Sequence, residues 1–82
     1  MALFNYKVIE SLILQNFEFQ NLQFQMLDSH AEYYDCEIQG ITSEVKVVNE
    51  DDEGRDSEYS VWSREYGRED WRYLDTVSTV AA

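Results

Sequence analysis

His30 and Cys36 are the only histidine and the only cysteine in the 82-residue chain, and together they could supply a thiolate–imidazole pair, the minimal kit for nucleophilic catalysis. Their surroundings point elsewhere. Cys36 shares the apolar parity of Tyr34 and Ile38, where a thiol behaves as a small core hydrophobe. His30 closes the polar break Asp28-Ser29-His30, which reads as a turn. A closed structural zinc site wants about four Cys or His ligands, so this chain cannot build one alone.

Carboxylates offer two further possibilities. Asn49, Asp51, Glu53 and Gly54 fall at the first, third, fifth and sixth positions of a calcium-loop spacing. The twelfth position, which should bring a bidentate Glu, is Ser60, and Arg55 sits inside the loop. The stretch is therefore read as a solvated loop. Asp51 and Asp52 could in principle perform acid–base work, but nothing nearby predicts a cleft that would raise either pKa. No catalytic residue, metal or cofactor is assigned, and the chain reads as a non-enzyme.

Trp62, Tyr66, Trp71 and Tyr73 could stack on bases, yet they lie among Glu65, Glu69 and Asp70. A nucleic-acid groove needs positive charge against the phosphates, so direct nucleic-acid binding is not expected. Core positions and protein-interface anchors suit these side chains better.

The strongest signal is charge. Seventeen Asp and Glu stand against six Lys and Arg, a formal net of −11. Residues 50–75 hold ten of the acids with four arginines, and residues 1–49 hold seven with Lys7 and Lys46, so both halves are negative. Such a chain repels nucleic acid and anionic lipid and attracts basic surfaces. Spread evenly, its acids number one per roughly 300 Å² of folded surface, against on the order of 100 Å² per charge on duplex DNA. Imitation of DNA thus requires the acids to crowd onto one face.

The elements that would position these groups read as strands. Forty-four per cent hydrophobic and 15% aromatic composition argues for one folded domain over residues 1–82 rather than disorder. Over residues 3–14, Phe4, Tyr6, Val8, Leu12 and Leu14 share one parity, with Ile9 and Ile13 as exceptions, which favours a strand over a helix. Alternation runs again through Phe17–Phe19 and, with parity reversed at Gln20 and Asn21, through Leu22–Met26, so a bulge or tight turn is expected at the reversal. Tyr34–Ile38 and Ile41–Val47 read as two strands about Gly40, with Asp35 and Glu37 projecting together from the wet face. Asn49–Asp56 is the clearest loop, Tyr59 and Val61 continue as a strand with Trp62 on the other face, Arg64–Asp70 is a second polar connection, and Trp71–Val77 is a last strand or short helix.

The fold class is accordingly mainly β: a small single-domain antiparallel sheet or partly open barrel of five or six short strands. The alternative is α+β, with one or two short helices on an antiparallel sheet. The lone cysteine rules out an intramolecular disulfide and suggests the reducing cytoplasm. The N-terminal run MALFNYKVIESLILQN lacks the layout of a signal peptide, and no segment is apolar enough to span a membrane as a helix.

In charge and size the chain is similar to phage-encoded DNA mimics, including anti-restriction and anti-CRISPR proteins, and to acidic immunity proteins that block nuclease toxins. That similarity implies a small intracellular inhibitor that caps a basic, nucleic-acid-handling protein, such as a nuclease, by presenting a negative face. Asp51, Asp52, Glu53, Asp56, Glu58, Glu65, Glu69 and Asp70 would pair with the partner's cations, and Trp62 and Trp71 would add short-range affinity. The inhibitor reading expects the negative face to be free of Arg55, Arg64, Arg68 and Arg72. The competing expectation is an assembly subunit whose charge serves solubility alone. It would pair through edge strands, for which the glutamine-rich Gln15–Gln25 segment is suited, and a homodimer is possible under either reading.

Overall fold

A computed structural model of the chain describes residues 6–28, 31–50 and 58–78. It is an N-terminal helix, α1 (Tyr6–Asn16), followed by five strands: β1 (Phe19–Asp28), β2 (Ala31–Ile38), β3 (Ile41–Asn49), β4 (Glu58–Glu65) and β5 (Arg72–Ser78). All neighbours in the sheet are antiparallel and the spatial order is the chain order, β1-β2-β3-β4-β5. The mainly β antiparallel expectation holds. The sheet is an open meander with β1 and β5 as its two edges, not a barrel.

The segment expected to be a first strand is the exception, being helical from Tyr6 to Asn16. The reason lies in the two residues that broke the strand alternation. Ile9 and Ile13, one helical turn apart, are 1% and 0% exposed, while Leu14, which fitted the alternation, is 47% exposed. Asn16 Nδ2 donates to the Leu12 carbonyl and the Phe17 amide to the Ile13 carbonyl, both at 2.8 Å, closing the last turn. Among the described residues this helix is too short to cross a membrane.

Ile9 and Ile13 press onto one face of the sheet, where Phe19, Tyr34, Cys36, Val45, Val47, Tyr59, Val61 and Val77 complete the core. The register explains the layering: Tyr34 pairs with Val45, Val47 with Val61, and Tyr59 with Val77, so one parity of each strand supplies the mostly apolar face under the helix. Cys36, 4% exposed, is a core residue, and burial, followed by the neighbouring Asp35 and Glu37 carboxylates, pushes its thiol up to about 11. A thiol held protonated in this way is a poor nucleophile.

Glu32 lies on the same buried parity and is fully enclosed. The Tyr34 hydroxyl donates to its Oε1 at 2.6 Å, a short contact inside the core. Burial, then this hydrogen bond and the charges of Glu32 and Glu10, hold the Tyr34 phenol far above its ordinary range.

The turns follow their chemistry. Gln39 and Gly40 both have positive φ, 53° and 80°, and join the paired Ile38 and Ile41 as a two-residue hairpin. The parity reversal expected at Gln20 and Asn21 is a register break between Gln20 and Gln23 with Asn21 at φ 56°, which turns Leu22 toward the core. A second break lies between Phe24 and Met26, and a third, in the β4–β5 pair, turns Leu74 inward. Strand β4 runs through Glu65, so the second polar connection is shorter than expected, spanning residues 66–71.

Candidate functional site

The face opposite the helix carries the feature that core packing does not explain. Following the register across the sheet, Met26 pairs with Tyr33, Tyr33 with Lys46, Lys46 with Trp62, and Trp62 with Tyr73. This transverse row is built of one large side chain from every strand, and among the described residues no second helix or strand lies over it.

Trp71, just ahead of β5, folds back onto the middle of the row. Its ring lies 4.8 Å from Lys46 Nζ and 4.1 Å from the Arg64 guanidinium carbon, and its centroid is 6.2 Å from that of Tyr33. Lys46 Nζ also sits 5.3 Å from the Trp62 ring, which meets Tyr73 edge-on at 5.3 Å. Two tryptophans therefore hold one ammonium between them, a geometry favoured by the negative faces of the rings. Loss of water around Lys46, then the nearby Arg64 charge, pulls its pKa below the ordinary lysine value.

Polar contacts fix the margins of this cluster. Arg64 Nε pairs with Glu44 Oε1 at 3.0 Å, and Arg64 also donates to the Glu69 carbonyl at 3.3 Å. Trp62 Nε1 donates to Ser60 Oγ at 2.9 Å, and Ser60 Oγ donates in turn to Glu50 Oε2 at 3.1 Å. Ser60, the residue at the twelfth calcium-loop position, is thereby committed to Trp62 and Glu50.

Carboxylates bracket the aromatic row along the strands. Alternation places Asp28 and Glu58 on this face toward one end of the sheet and Asp35, Glu37 and Glu44 toward the other. Among the described residues Asp35 and Glu37 make no ion pair. The expected shared projection of these two side chains is thus present.

The acids singled out by sequence are distributed differently. Asp51, Asp52, Glu53 and Asp56, like His30, lie outside the described residues. Glu58 and Glu65 are seven residues apart on β4 and so point from opposite faces. Glu65, Glu69 and Asp70 do gather, around an open cleft of about 790 Å³ at the hairpin end of the sheet, but Arg64, Arg68 and Arg72 line the same cleft and Arg68 contacts Glu65 at 3.5 Å. The lining of that cleft is charge-balanced rather than free of arginine.

Lys46 bridges Trp62 and Trp71, and Lys46, Arg64, Tyr33 and Met26 were not among the sequence-derived site residues. The available signal was parity, since Tyr33 and Lys46 occupy the polar alternation of β2 and β3. No protein-family model, no curated protein and no solved structure matches the chain.

Proposed function

We propose that this protein is a small acidic binding module that caps a basic partner through the open face of its sheet, and that the partner is a protein whose own surface is built to hold nucleic acid. One observation carries the reading: an aromatic and cationic centre, Tyr33, Lys46, Trp62, Trp71 and Tyr73, bracketed on its own face by Asp28, Glu58, Asp35 and Glu37. Trp and Tyr at a centre with charge at its margins match the composition of a protein interface; Arg64, expected to lie off this face, sits within it, over Trp71 and paired with Glu44.

The division of labour is physical. Carboxylates at the margins steer a basic partner and accelerate encounter, and the central rings supply contact area that is slow to release. Phosphate-binding lysines and arginines on the partner are the groups best matched to this rim, and their occupation would exclude nucleic acid. Asp51, Asp52, Glu53 and Asp56, which follow β3 in sequence, add to the net negative charge that attracts a basic partner, beside Glu58 of β4.

The test is capture of basic nucleic-acid-binding proteins on immobilised protein at low salt, followed by elution with either about 0.5 M salt or duplex DNA. A partner released by both, whose association slows with Asp35→Lys and Glu37→Lys and whose dissociation quickens with Trp62→Ala, is the expected outcome. Release by neither, or unchanged kinetics in these variants, refutes the reading.

A further inference from the structure

We infer that β1 is a self-pairing edge, so that two copies of this chain join antiparallel through Phe19–Leu27 into one continuous sheet. The observation is a contrast of charge. Phe19–Leu27 contains no charged residue, whereas β2, β3, β4 and β5 each contain at least two. In a chain with a net charge of −11, this is the strand along which a second copy meets least repulsion.

Among the described residues the strand is also an edge, with no strand paired to its outer side. Edges that remain single are guarded by charge, shortness or irregularity. The opposite edge, β5, is guarded in this way: it has seven residues and carries Arg72 and Asp75. β1 runs ten residues and offers exposed Met26 on the open face and exposed Leu27 on the helix face, 51% and 46% exposed. Its two register breaks limit regular pairing to short stretches, which sets a weak, reversible association rather than an obligate one.

The occupant is a second copy because the edge offers nothing to a charged partner. A basic protein is drawn to the carboxylates elsewhere on the surface, while a neutral strand is best matched by a neutral strand, and this chain supplies one in every copy. An antiparallel pair about a two-fold axis near Gln23 sets Gln25 of one copy against Asn21 of the other, so amides face amides across the seam. With this axis Met26, the β1 end of the transverse row, meets Gln20 of the other copy, so the two rows lie offset along the seam.

This inference is independent of the basic partner, and salt separates the two. Screening weakens attraction to a basic surface but relieves repulsion between two copies of charge −11, so self-association should strengthen as salt rises. Sedimentation equilibrium over about 10 µM to about 1 mM protein, at about 0.05 M and about 0.5 M salt, reads this directly. The expected result is a monomer–dimer equilibrium tighter at the higher salt. Gln23→Glu with Gln25→Glu, which keeps side-chain shape and places carboxylates at the seam, should weaken it at least tenfold. Gln15→Glu with Gln39→Glu adds the same charge away from the seam and should leave it within threefold, with circular dichroism confirming the fold of both variants. A monomer throughout, a dimer tighter at low salt, or equal loss in the two double variants overturns the proposal.

Discussion

Replacement of Trp71 by alanine removes the ring that ties the open face together. Its magnitude can be assembled from the contacts made. Lys46 at 4.8 Å and Arg64 at 4.1 Å each gain about 0.5–1 kcal/mol from a partly exposed ring. The tilted Tyr33 contact at 6.2 Å adds about 0.5 kcal/mol, at the low end for aromatic pairs. Against this, Lys46, whose pKa burial and then the Arg64 charge pull down, regains water when the ring leaves. The net cost should be about 1–2 kcal/mol by urea denaturation. A double-mutant cycle with Arg64→Ala isolates one contact, because the Arg64–Glu44 ion pair is lost on both sides of the cycle and cancels. The coupling should be about 0.5–1 kcal/mol. Additivity within about 0.3 kcal/mol would refute the claim that the two side chains hold each other, and with it the picture of Trp71 as the clasp of the face.

Two other predictions probe the opposite face. Ile13→Ala should cost about 2–5 kcal/mol because Ile13 is fully enclosed between α1 and the sheet, whereas Leu14→Ala, nearly half exposed, should stay within about 0.5 kcal/mol; equal costs in thermal or urea unfolding would contradict the orientation of the helix. Cys36 should make the fold sensitive to alkali. Its pKa is raised from 9.0 to about 11, so the contribution is fully present below pH 9, where the thiol is protonated folded or unfolded. Above that the unfolded chain releases the proton first, and stability falls by up to about 1.4 kcal/mol per pH unit until the folded thiol ionises. Cys36→Ala should flatten the slope of unfolding free energy between pH 9 and pH 11 relative to the unaltered protein, and an unchanged slope would place the thiol in a wetter site.

Much of the sheet was legible because its strands are half buried. Tyr34, Cys36 and Ile38 alternate with Asp35, Glu37 and Gln39, and a sheet with one dry face demands this pattern. The break near Asn21 was legible for the same reason, since a reversal of parity in a continuous strand needs an extra residue. The helix was hidden because, from Ile9 onward, its apolar residues do not all fall on the buried side. Ile9 and Ile13 with half-buried Leu12 carry the docking, and exposed Leu14 blurs the helical period. The open-face cluster was hidden for a different reason: Met26, Tyr33, Lys46, Trp62 and Tyr73 become neighbours only through four successive strand registers, none of which a local pattern specifies. Trp71 reaches them from outside any strand, where periodicity carries no information.

The order of strands in space, identical to their order along the chain, bears on how the protein reaches its native state. Each hairpin closes over a short stretch, so the sheet can zip from any one of them at little loop-closure cost, which favours rapid folding for a β protein. The packing of α1 against β5 is the step that must wait, because it joins the first described element to the last. During synthesis the helix would leave the ribosome well before the strand it finally rests on, and until then Ile9 and Ile13 lack part of their cover. That interval is when a chaperone, or the helix of a neighbouring nascent chain, has its opportunity.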